Sequence, residues 1–113
     1  DTRQWLERLN RAQGGKADAM ARYFPVPGMN HCSGGPATDQ FDLLSPLVAW
    51  VEQGVQPQAV LAQARGAGHS AGVNTELPTD WSARRGRPLC AYPTVARYTG
   101  TGSVEDAANF VCQ

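Results

Sequence analysis

Two adjacent side chains, His31 and Cys32, stand inside Pro25-Val-Pro-Gly-Met-Asn-His31-Cys32-Ser-Gly-Gly-Pro36, a loop dense in glycine and proline. An imidazole changes charge near neutral pH and is suited to taking and returning a proton during catalysis. So much backbone freedom around one histidine suggests a loop built to reach one demanding shape and to present a side chain from it. A histidine with no partner in sight could equally be an ordinary loop residue with a single hydrogen bond. The chemistry turns on where a nucleophile and an acid would come from.

The chain offers weak local answers. Gly68-His69-Ser70-Ala71-Gly72 matches the G-x-S-x-G elbow that carries a nucleophilic serine. That elbow needs a buried strand before it and a helix after it, and Val73 to Pro78 is a poor helix. Ser70 also follows His31, the reverse of the hydrolase order, so a mobile glycine-rich loop explains the match better. Asp39 and Asp42 lie just beyond His31 and read as first-turn residues favoured by a helix dipole. Asp1 reads as a helix cap, which leaves no convincing acid to orient His31. A zinc site from His31, Cys32, Cys90 and Cys112 has the right ligand types but no close pair of ligands to anchor it. A disulfide between Cys90 and Cys112 accounts better for those two, and would contribute about 3 kcal/mol on the chain-entropy model. Such a bridge points to an oxidising compartment, and Cys32 is then the cysteine left without a partner.

The elements that must position His31 follow from periodicity. Residues 2–13 have Trp5, Leu6, Leu9 and Ala12 on one face, with Asp1 or Thr2 as cap and Gly14-Gly15 as stop, which predicts an amphipathic helix. Residues 16–21 add a helical turn. Arg22-Tyr-Phe-Pro-Val26 is short, aromatic and β-branched, and reads as a strand leading into the His31 loop. A second helix is expected over about 41–53, with Phe41, Leu44, Leu47, Val48 and Val51 as its stripe and Gly54 as its end. Pro46 favours a start at Ser45-Pro46, with proline in the first helical position, where it is tolerated. Residues 58–65 read as a strand, 66–89 as irregular, and 95–98 and 109–112 as short extended segments.

Composition narrows the function classes. The 113 residues carry ten basic and ten acidic side chains, so charge gives no case for nucleic acid or an anionic membrane. The cluster Arg84-Arg85-Gly-Arg87 reads as a solvated loop. No apolar run approaches the about 20 residues needed to span a bilayer. Twelve glycines and eight prolines make a costly composition for an isolated domain, and an odd cysteine count implies a free thiol or a partner outside the chain. The chain opens on a helix cap without an initiator Met and shows no signal peptide. The helix, strand, loop, helix order suggests one end of an α/β sheet protein with most of its sheet elsewhere. The expectation is therefore a piece of something longer.

Val26-Pro-Gly-Met-Asn-His-Cys-Ser-Gly-Gly-Pro36, with Asp39-Gln-Phe-Asp42 and Leu47-Val-Ala-Trp-Val-Glu52, resembles the C-terminal region of the tannase/feruloyl esterase family of α/β-hydrolases. Arg87-Pro-Leu-Cys-Ala-Tyr-Pro93, Ala96-Arg-Tyr98 and Asn109-Phe-Val-Cys112 are similar to that family's tail, with Ala91 where the family usually has a proline. The resemblance implies an α/β fold in which residues 1–54 carry the catalytic histidine loop and 55–113 form a disulfide-stapled irregular tail. It implies a serine esterase of aromatic-acid esters of the feruloyl, galloyl or terephthalate type, secreted or periplasmic. His31 matches the family's general base and acid. Cys32 matches the partner in a disulfide to a cysteine beside the nucleophilic serine, and Cys90 and Cys112 match a C-terminal disulfide. The serine, the aspartate and a lid domain with its structural calcium match regions upstream of residue 1, so this segment itself is expected to need no cofactor and to be inactive unaided. The implied partners are the ester substrate and the upstream part of the protein, with dimerisation through an exposed apolar face in its absence. The competing expectations are a disulfide-stapled binding domain without chemistry and a small zinc protein.

Overall fold

The structure is a computed structural model that describes all residues from Asp1 to Gln113. The first helix, α1, spans Thr2–Ala12 and begins on a capping box. The Asp1 carboxylate accepts from the Gln4 backbone N–H while the Gln4 side chain reaches back to the cap, which satisfies otherwise orphaned donors. Of the expected apolar face only Leu6 is buried; Trp5 is 57% exposed. A single 3₁₀ turn, Ala17–Ala19, follows as the sequence suggested for 16–21.

Residues 22–26 do not form the expected strand. They run extended, with one long-range backbone hydrogen bond, from Tyr92 N–H to Tyr23 O at 2.8 Å, and a local one from Met29 N–H to Val26 O at 3.3 Å. Pro25 has no N–H to donate, which limits a ladder here. The aromatic and β-branched residues serve packing instead: Phe24 and Val26 lie against the core cluster of Val60, Ala62 and Leu89.

After the His31 loop, a two-residue strand β1 (Gln40–Phe41) leads into helix α2 (Leu44–Gln53). Phe41 thus belongs to a strand and packs on the core rather than heading the helical stripe. Asp42 Oδ1 accepts from the N–H groups of Leu44 and Ser45 at 2.8 and 3.1 Å, closing the helix start. Pro46 is the third helical residue rather than the first, still within the opening turn, where its missing N–H has no intrahelical acceptor to lose. Gly54 ends the helix at φ 70°. No residue of α2 is buried.

The remainder holds more regular structure than the sequence suggested. Strand β2 (Ala59–Gln63) pairs antiparallel with β1 on one side and with β3 (Gly86–Cys90) on the other. All of strand β3 but Cys90 falls in the stretch 66–89 read as irregular. Pro88 disguises it, and its place at the sheet edge is where a proline is tolerated. Strands β4 (Ala96–Tyr98) and β5 (Phe110–Cys112) form a separate antiparallel pair. Cys90 at the end of β3 is bonded to Cys112 on β5, with Cα atoms 5.6 Å apart, so the bridge ties the two sheets together.

Of the basic cluster only Arg84 is solvated; Arg85 and Arg87 are not. Arg85 pairs with Glu105 and lies 3.9 Å over the Trp81 ring. Arg87, on β3, lies 4.2 Å over Phe110. No helix is long and apolar enough to cross a membrane.

Candidate active site

His31 rides on a turn whose backbone only glycine can complete. Asn30 N–H donates to Gly34 O at 3.2 Å, closing a loop around His31, Cys32 and Ser33. Gly35 sits at φ 75°, and a β-carbon there would lie 2.2 Å from Gly28 O. At Gly28 a β-carbon would lie 2.4 Å from Pro36 O. The two arms of the loop therefore touch backbone to backbone, a contact any larger residue would block. Cys32 adopts φ 72°, the one non-glycine residue in the left-handed region.

At the tip, both His31 and Cys32 are exposed. Cys32 is a free thiol, and its Sγ lies 3.0 Å from His31 Nδ1. No ion pair of the chain involves His31. Each acid weighed in the sequence is engaged elsewhere. Asp1 caps α1 and Asp42 caps α2. Asp39 is not a first-turn residue: its fully buried carboxylate pairs with Arg65 at 2.6 Å and accepts from Gly34 N–H at 2.7 Å. The Arg65 guanidinium, followed by that backbone donor, holds the Asp39 carboxyl below its ordinary range, against the opposing effect of burial.

Ser70 is not on an elbow. Gly68–Gly72 is a pair of turns beyond the end of β2, with no helix after it, and the His69 Nδ1 accepts from Ala71 N–H at 3.1 Å. The four-residue zinc site cannot assemble, because Cys90 and Cys112 are consumed by their bond. No three His, Cys, Asp or Glu side chains converge as a metal cage.

The structure adds residues that local reading missed. Glu76 Oε2 accepts from Gly35 N–H at 2.8 Å, and both its oxygens lie 3.1 Å from Asn30 Nδ2. Buried Asn74 donates to Gly35 O at 2.8 Å. Both residues lie more than 35 positions from the turn they hold, so no local spacing announces them.

Comparison with known proteins finds relatives of the chain in one family. A model of the tannase and feruloyl esterase family matches residues 2–113. The chain is 51% identical over 112 residues to the mono(2-hydroxyethyl) terephthalate hydrolase of Piscinibacter sakaiensis, covering 99% of this chain and 17% of that protein. It is 37% identical to an uncharacterized esterase of Xanthomonas campestris, covering 97% of this chain and 21% of that protein. Among solved structures, 99% of the chain matches 24% of an esterase from Aspergillus oryzae, with a TM-score of 0.72 at 23% identity. Feruloyl esterase B from Aspergillus oryzae gives a TM-score of 0.67 at 24% identity, over 23% of its length. The fold is a segment of the α/β-hydrolase architecture, and the chain spans about a fifth of the length of the curated relatives it matches. With the family model matching residues 2–113 and relatives of this identity, the chain belongs to the tannase and feruloyl esterase family.

Proposed function

We propose that this chain is the histidine-bearing part of a serine carboxylesterase that acts on esters of aromatic acids. The observation that carries the reading is the His31 turn. An exposed imidazole stands on a glycine-locked loop, and no carboxylate of the chain pairs with it. The membership in an esterase family supports the same reading.

In this proposal His31 takes the proton from a serine hydroxyl supplied by residues outside this chain. The serine oxygen attacks the ester carbonyl, and His31 returns the proton to the departing alcohol, leaving an acyl-enzyme. Water is then activated by the same imidazole, and the acid is released. A carboxylate from outside the chain holds the imidazole in its working tautomer, the task no local acid is free to perform. Cys32, exposed at the same tip, is the covalent hook to a cysteine beside that serine. The Cys90–Cys112 bond supports a secreted or periplasmic setting.

The test is a chimera in which this chain replaces the matching segment of the Piscinibacter sakaiensis hydrolase. The chimera is expected to cleave its ester, and His31→Ala to lower kcat by about 10³-fold or more. An unaltered rate in the variant sinks the proposal. The 113-residue chain alone is expected to be inert toward aryl esters. Turnover by it that His31→Ala abolishes would overturn the requirement for an outside serine.

A further inference from the structure

We infer that Glu76 is a positioning residue for His31, fixing the imidazole's place by clamping both arms of its turn from a loop far along the chain. The inference rests on the reading of His31 as the proton carrier, and its geometry stands independently of that reading.

The turn has little packing of its own. His31, Cys32 and Ser33 are all exposed, so no core contact holds the imidazole in place. What holds the turn is hydrogen bonding at its two feet. On the entering arm, Asn30 Nδ2 lies 3.1 Å from both Glu76 oxygens. On the leaving arm, Gly35 N–H donates to Glu76 Oε2 at 2.8 Å. One carboxylate thus bridges the residues that flank the catalytic segment, and a planar acceptor with two oxygens suits that task. The fit is close: a β-carbon at Gly34 would lie 2.6 Å from Glu76 Oε2.

Glu76 is itself held. Its N–H donates to Asn74 Oδ1 at 3.0 Å, and Asn74 Nδ2 donates to Gly35 O at 2.8 Å. Asn74 N–H donates to Arg65 O at 2.7 Å, and Arg65 pairs with Asp39, whose carboxylate accepts from Gly34 N–H. The Arg65–Glu76 segment therefore grips the turn through Asn30, Gly34 and Gly35. Glu76 is an exposed residue, and exposed polar contacts contribute little to global stability. A clamp of that kind acts on local order, and a proton carrier displaced by about 1 Å costs about 10²-fold in rate.

Two measurements test this. In the chimera, Glu76→Ala is expected to lower kcat by about 10- to 100-fold with KM within about twofold and the unfolding midpoint nearly unchanged. Glu76→Gln keeps one acceptor oxygen and is expected to recover part of the loss. In the full chain, Glu76→Ala is expected to speed hydrogen exchange at Asn30, Gly34 and Gly35 while the β2 and β3 amides keep their protection. Unchanged kcat together with unchanged exchange overturns the inference. So does a loss shared by kcat, KM and the midpoint that glutamine does not recover. If His31→Ala leaves the chimera active while exchange still rises in Glu76→Ala, the esterase reading fails and the clamp stands.

Discussion

Gly35 shows how one residue decides whether His31 is presented at all. Its φ of 75° is the left-handed conformation, and the space where a side chain would begin is filled by Gly28 O. Gly35→Ala is therefore expected to destabilise the fold by about 2 kcal/mol, from backbone strain before the clash is counted. Chemical denaturation measures the loss. Gly54, also at positive φ but with open space around it, provides the control. Gly54→Ala is expected to show strain alone, so the difference between the two variants isolates the backbone contact inside the His31 loop. A larger loss at Gly54 than at Gly35 would contradict this account.

The elements differ in how much of them the sequence disclosed. Helix α1 is legible because its cap and its glycine stop are local signals that survive into the fold, although of its apolar stripe only Leu6 is buried. Strand β3 is hidden because Gly86, Arg87 and Pro88 argue against a strand, and only its edge position and the packing of Arg87 over Phe110 make them acceptable. The extended run at 22–26 shows the reverse error, a strand-like composition whose apolar residues pack without a pairing partner. Asp39 escapes local reading because its partner Arg65 lies 26 positions away. Around β3 a pH dependence follows. Arg85 and the Ser82 backbone N–H, acting against burial, hold Glu105 at a pKa of about 2 rather than 4.5. A carboxylate with a depressed pKa stabilises the fold above its unfolded value and loses that contribution as pH falls through the folded one. Stability is thus expected to decline between about pH 4.5 and about pH 2, and less steeply in Glu105→Gln. Denaturant unfolding across that range reads the slope. Identical slopes in both proteins would remove Glu105 as the cause.

At the scale of the whole molecule the apolar surface is out of balance with the core. Only 15 of 113 residues are buried, and the radius of gyration is 15.3 Å. A globular domain of this length is expected near 13 Å. The excess surface is organised, because Leu44, Leu47, Val48 and Val51 on α2 are 70, 50, 43 and 77% exposed, with Val55 beyond the helix end at 58%. A contiguous apolar face of this kind marks a surface that another element covers. In a longer family member the neighbouring parts of the hydrolase domain would supply that cover. In the chain alone, a second copy is the available substitute, because a helix face can meet its own symmetry mate. We therefore expect the isolated chain to self-associate in a concentration-dependent way, and Leu47→Lys with Val51→Glu to shift it toward monomer. Sedimentation velocity over a range of concentrations decides the matter. A wild-type chain that stays monomeric at high concentration would mean that the α2 face tolerates water, and would favour a stand-alone domain over a segment that requires its neighbours.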